Sequence, residues 1–182
     1  MPPLYTLRLS TIERGGAGGI RWGGMYDDAL EVRHIAESLL YRYATCLDDG
    51  PLEHWPRCFT EAGQYRLIPR ENLVQNVPVA LMHCTSRDQL EECVTTLQRS
   101  HATVHYACRH LYTNVQVELP RGGRTLVRAN YAIYQTVEEG EVDLLSMGRV
   151  EARVLLEPQP LFERMDVIYE MCRLSGLKVY PL

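Results

Sequence analysis

From Leu111 to Leu156 the chain is written almost entirely with a period of two, and no other part of the 182 residues limits the possible folds so tightly. Leu111, Thr113, Val115, Val117 and Leu119 alternate with Tyr112, Asn114, Gln116 and Glu118, which predicts a strand with two distinct faces. "PRGGR" then supplies hairpin residues leading into Val127, Ala129, Tyr131, Ile133 and Val137. "EEGE" turns the chain into a long strand from Val142 to Leu156, which "EPQP" breaks. Leu161 to Met171 fits a helical and an alternating pattern alike. Its antiparallel predecessors on short turns favour a closing strand.

The N-terminal half has the other period. Val32, Ile35, Ala36, Leu39, Leu40, Tyr43 and Leu47 form one apolar stripe at helical spacing. Asp28 with Glu31 predicts its N-terminal cap, and Gly50-Pro51 its stop. Leu52, Trp55 and Phe59 predict a short second helix, with Pro56 tolerable only near its first turn. Asp48 and Asp49 fall between the two helices. The dipole of the helix they close disfavours them, so they are read as caps of the next helix rather than as an acid/base pair. Ser86-x-x-Gln89 followed by Leu90, Cys93, Val94 and Leu97 predicts a third helix. Helices followed by a meander of strands make an α+β domain, a curved antiparallel sheet wrapped over N-terminal helices around a cone-shaped interior.

Residues 1–24 stand apart. "RGGAGGIRWGG" is glycine-dense and aperiodic, which predicts a flexible tail ahead of one domain over 25–182. Arg21 occupies the place of the third glycine of a dinucleotide loop, and no strand precedes it. Met25, directly before the first helix, is the expected natural start. A formal charge of −4 provides no basic face for nucleic acid. No run approaches the roughly 20 apolar residues of a membrane span. Six cysteines scattered through apolar segments, with no signal peptide, predict reduced thiols in a cytoplasmic protein.

The most reactive-looking stretch is "HATVHYACRH", with His101, His105, Cys108 and His110. Metal ligands must converge on one point, yet this segment passes from helix to strand, where side chains splay. His-Glu-x-x-His is absent, and Cys108-Arg109-His110 lacks the Cys-x-x-His half of a Rieske site. There is no Gly-x-Ser-x-Gly elbow. Tyr43, Tyr65, His83 and His110 are the polar candidates for lining the cone if it hosts acid/base chemistry.

Taken together, these segments resemble the small (beta) subunits of aromatic-ring-hydroxylating dioxygenases, particularly those of terephthalate dioxygenases and salicylate hydroxylases. The likeness runs from about Asp27 to the terminal "YPL". It rests on "LDDGPLEHWPRCFTEAGQYRL", with Asp49, Trp55, Phe59 and Tyr65, then on "IPRENLVQNVPVALMHCTSRDQLEECVTTLQ", Arg109-His110 and "LFERMDV". Ala107-Cys108 departs from the basic or aromatic residues usual there. The resemblance implies a cystatin-like or NTF2-like cone without a catalytic, metal or cofactor site of its own. It implies a large (alpha) subunit carrying a Rieske [2Fe-2S] cluster and mononuclear iron, fed by a reductase or ferredoxin, with this chain self-associating as a trimer within an α3β3 assembly. A free-standing isomerase, dehydratase, cyclase or ligand-binding module of the same fold is the alternative.

Overall fold

The computed structural model describes residues 25–75, 77, 79–100, 107–136 and 140–172. The glycine-rich segment 1–24, His101, His105, Val137 and the side chain of Asp28 lie outside the described residues. Helix α1 spans Met25–Asp48. Val32, Ala36, Leu39, Leu40, Tyr43 and Leu47 of its predicted stripe are buried. The amides of Asp49 and Gly50 both return to the Thr45 carbonyl, and Gly50 at φ +71° takes the left-handed conformation that turns the chain away.

Two local expectations are corrected next. The second helix is a 3-10 helix, Leu52–Cys58, with Pro56 inside it, and Phe59 opens a strand instead of closing that helix. Nor do the aspartates cap it: Pro51 stands at its N-terminus, with no side-chain hydrogen bond to the first turn. Strand β1 is Phe59–Pro69, the short α2 is Arg70–Val74, and β2 is Met82–Cys84. Helix α3, Arg87–Ser100, starts with the predicted cap in a modified form. Ser86 Oγ accepts the Gln89 amide at 3.4 Å, while the Gln89 side chain reaches one residue further back, to the Thr85 amide at 2.7 Å.

Strands β3 (Cys108–Val117), β4 (Arg124–Thr136), β5 (Val142–Leu155) and β6 (Leu161–Cys172) form the predicted meander. The ambiguous last segment is therefore a strand. Gly122 and Gly123, at φ +57° and +72°, make the β3–β4 hairpin turn that L side chains disfavour. The sheet order is β2-β1-β6-β5-β4-β3. It is mixed, not wholly antiparallel, because β6 runs parallel to β1 from Gln64 opposite Arg164 to Pro69 opposite Tyr169. Local alternation cannot reveal that pairing, since the strands are separated by most of the domain.

A single residue changes which face of β3 looks inward. Asn114 has φ +54°, and the pairing with β4 slips between Thr113 and Gln116. This β-bulge reverses the alternation. His110, Tyr112 and Val115 are buried, while Leu111 and Thr113, expected to share Val115's face, point to solvent. The inner face of the sheet closes over Tyr43, Trp55, Phe59, Tyr65 and Phe162, all fully buried. Their ring centroids lie 5.4–6.3 Å apart, mostly edge to face, an arrangement favoured by the ring quadrupoles.

Candidate functional site: a buried aspartate–histidine pair

The end of α1 and the start of β3 meet through two adjacent acidic residues and two adjacent basic ones. Asp48 Oδ1 lies 2.5 Å from His110 Nδ1, and Asp48 Oδ2 accepts the His110 backbone amide at 2.9 Å. The two side chains are 6% and 1% exposed, so this contact is made away from water. Asp49 Oδ1 lies 2.8 Å from Arg109 Nη1, but with both side chains more than half exposed that pair is screened. Burial decides between them: the inner pair ties helix to sheet, and the outer one contributes little.

The hydrogen bonds also set the imidazole. Both Asp48 oxygens act as acceptors, so Nδ1 is the donor, and in the neutral ring this tautomer leaves the lone pair on Nε2. Nε2 is buried and has no hydrogen-bond partner among the described residues, and the same holds for Tyr112 Oη and Trp55 Nε1. Burial, followed by the neighbouring phenols Tyr65 and Tyr112, pushes Tyr43 well above the ordinary tyrosine range. Burial, then Tyr65 and Tyr131, does the same for Tyr112. Both phenols therefore stay neutral. Tyr131 Oη bonds to Ser146 Oγ at 3.0 Å. Burial pushes the Cys58 thiol up to about 12 and raises Cys108, the latter helped by the charge of Asp48.

Chemically, an aspartate-oriented imidazole with a free Nε2 is half of a nucleophile-activating arrangement. The other half is missing among the described residues, since no serine or cysteine bonds Nε2. Nor do any three of the described His, Cys, Asp and Glu residues gather as a metal site.

Of the sequence candidates, Tyr43 and Tyr65 lie together in the core with Trp55 and Phe59, and His110 is buried against Asp48 at the junction of α1 and β3. His83 is exposed on β2 and does not join them. Sequence reasoning missed Asp48 as the partner of His110, and Tyr112 as an inward residue. The two aspartates, expected to cap the next helix, instead meet β3, which delivers His110 and Arg109 to them from 62 and 60 residues away.

Comparison with known proteins places this architecture. Residues 28–159 match the SnoaL-like domain family. The chain is 30% identical over 142 residues to the anthranilate 1,2-dioxygenase small subunit of Burkholderia cepacia, spanning 78% of this chain and 88% of that one. It belongs to the small (beta) subunits of aromatic-ring-hydroxylating dioxygenases. Terephthalate 1,2-dioxygenase subunit beta 1 of a Comamonas species is more distant from this small subunit, 19% identical over 58% of the chain and 69% of the relative. The crystal structure of a beta subunit assigned to such a dioxygenase from Novosphingobium aromaticivorans superimposes with a TM-score of 0.76. It is 27% identical and covers 85% of this small subunit and 99% of its own chain. Membership implies a large-subunit partner. No helix among the described residues is long and apolar enough to cross a membrane.

Proposed function

We propose that this small subunit is a structural, non-catalytic component of a bacterial Rieske-type dioxygenase that oxidises an aromatic carboxylate or a similar compound in the cytoplasm. The Rieske cluster and mononuclear iron belong to the large subunit, electrons arrive through a reductase or ferredoxin, and the assembly is α3β3. The observation that carries this reading is the match to the anthranilate dioxygenase small subunit over 88% of that protein's length. The ring cluster filling the interior around Trp55 agrees with a part that serves by shape. Such a subunit acts by burying surface against its neighbours and holding them in register.

Co-expression with the large subunit tests the proposal. The two chains co-purify with the visible absorption of the iron–sulfur chromophore, and omitting the small subunit leaves the large one poorly assembled. Full assembly and turnover by the large subunit alone would end the proposal.

A second reading has one observation behind it: His110 Nε2 and the Tyr112 hydroxyl, two residues apart on the buried face of β3, both lack a hydrogen-bond partner among the described residues. That pair suits a small hydroxyl-bearing ligand, which would donate to Nε2 and accept from Tyr112. Turnover of a hydroxylated aromatic compound by the isolated chain, lost in His110→Gln with the fold intact by circular dichroism, would favour it.

A further inference from the structure

Cys84 ends strand β2, and Cys93 stands in the second turn of α3, nine positions further on. Their sulfurs lie 3.5 Å apart, in direct contact. A disulfide bond measures about 2.05 Å, so an approach of about 1.5 Å would join them. The elements on either side hold the pair in place. Cys84 stands opposite Tyr65 of β1, while Leu90, Val94 and Leu97 bury the face of α3 whose edge carries Cys93. The turn between them is pinned at Gln89, whose side-chain oxygen accepts the Thr85 amide and whose own amide donates to Ser86 Oγ.

Access separates the two sulfurs. Cys84 is buried and Cys93 half-buried, so a reagent from solvent meets Cys93 first. Burial, and after it the neighbouring Cys93, pushes the Cys84 thiol up to about 12, which keeps it protonated and inert on its own. A reachable sulfur with a resolving one behind it is the arrangement of a redox-responsive pair. The other thiols lack it. Cys46 and Cys58 also touch each other, but both are buried. Cys108 is half-buried, with Asp48 and Arg109 rather than a second thiol acting on it.

The surroundings also select the reagent. The exposed carboxylate of Glu92 acts on Cys84 from beside Cys93, and its charge disfavours an anionic oxidant. The half-buried setting favours a small one. An uncharged hydroperoxide meets both conditions.

We propose that Cys84 and Cys93 form a reversible disulfide site that hydroperoxides close. The Cys93 sulfur attacks a peroxide oxygen and becomes a sulfenic acid, while the O–O bond breaks and the remainder leaves as an alcohol, or as water from hydrogen peroxide. The Cys84 sulfur then attacks that of Cys93. The S–S bond forms, the S–O bond breaks, and the hydroxyl departs as water with the Cys84 proton. Together the sulfurs lose the two electrons that the peroxide gains, and a dithiol reductant reverses the bond by exchange. Transient bonds of this kind are the usual form of disulfides in reducing compartments. Strand β2 has three residues and stands at the end of the sheet order, so the bond staples the shortest edge strand to α3. The site is independent of the small-subunit reading.

The test is peptide mapping of the reduced full chain after treatment with hydrogen peroxide, with remaining thiols blocked by iodoacetamide. Trypsin cuts after Arg70, Arg87 and Arg99, which puts Cys84 in peptide 71–87 and Cys93 in peptide 88–99. The oxidised wild type yields these two as one cross-linked species, lighter by two hydrogens than the separate pair, and dithiothreitol parts them. Cys93→Ser gives no cross-link. Cys84→Ala leaves the sulfenic acid on Cys93, where dimedone labels peptide 88–99. Hydrogen exchange over 82–84 slows about tenfold in the oxidised wild type. Five results overturn the proposal: peptides 71–87 and 88–99 unlinked in the treated wild type, Cys84 or Cys93 bonded to a different cysteine of the chain, two copies of 88–99 bonded to each other, no dimedone label on folded Cys84→Ala, or unchanged exchange in β2 once the bond has formed. Should Cys84→Ala fail to fold, the wild-type map and Cys93→Ser decide the matter alone.

Discussion

Asp48 holds His110 at two points, accepting the ring Nδ1–H at Oδ1 and the backbone amide at Oδ2. One carboxylate thus fixes the last turn of α1 to the first residues of β3 and selects the imidazole tautomer as well. Removing it leaves two donors buried without an acceptor. Asp48→Ala is therefore expected to lower unfolding free energy by about 3 kcal/mol, the scale found when one partner of a buried pair is deleted. Asp48→Asn keeps an oxygen for the amide and loses less. Urea unfolding of both variants gives the measurement, and a loss below about 1 kcal/mol for the alanine would show that the clasp is not structural.

On the opposite face, the stabilisation from Asp166 depends on pH. Burial works to raise this carboxyl, but hydrogen bonds from Arg66 and then Arg164 outweigh it and hold the carboxyl below the usual aspartate range. With the folded value lower than the unfolded one, acidification protonates the unfolded chain first. The contribution is complete above about pH 4 and disappears as pH falls through the folded value. The stability gap between wild type and Asp166→Asn should accordingly be widest near neutrality and close on the acid side. A gap independent of pH between 7 and 3 would contradict the geometry.

Helix α1 and strands β4 and β5 were legible because each follows one unbroken period over many residues. The stripe from Val32 to Leu47, apart from the half-buried Ile35, and the alternation from Val127 to Ile133 end up buried as read. What escaped reading was non-local or turned on one residue. The parallel pairing of β1 with β6 joins segments about a hundred residues apart, and no pattern within either strand encodes it. The left-handed Asn114 reverses the faces of β3, so the period that predicted a strand there placed Leu111 on the wrong side of it. Asp48 was misread for a related reason. At a helix end before a Gly-Pro pair, a carboxylate looks like a cap until its partner, on a distant strand, is seen.

Gly148 marks a place where two strands approach too closely for any side chain. A Cβ there would lie far inside contact distance of the Ile168 carbonyl oxygen and crowd the Cα of Tyr169. Both obstacles are backbone at the β5–β6 bulge, so neither can swing aside. Gly148→Ala should cost about 3 kcal/mol or leave the chain insoluble, an overpacking penalty at the upper end of its range. Gly140→Ala is the control, with open space around the added methyl but φ +81°, and should lose only about 1 kcal/mol. Equal melting temperatures for the two variants would refute the close approach.

Tyr112 separates the two readings of the interior. Its hydroxyl is buried without a partner among the described residues, whereas that of Tyr131 bonds Ser146 at 3.0 Å. If the interior is closed, Tyr112→Phe removes an unsatisfied polar group and should raise stability by about 1 kcal/mol. Tyr131→Phe breaks a made hydrogen bond and should lower stability by a similar amount. The two substitutions delete the same atom from the same residue type within one core, so their opposite signs isolate the hydrogen bond from the packing. A loss of stability in Tyr112→Phe would mean that water or a small hydroxylic ligand bonds the phenol.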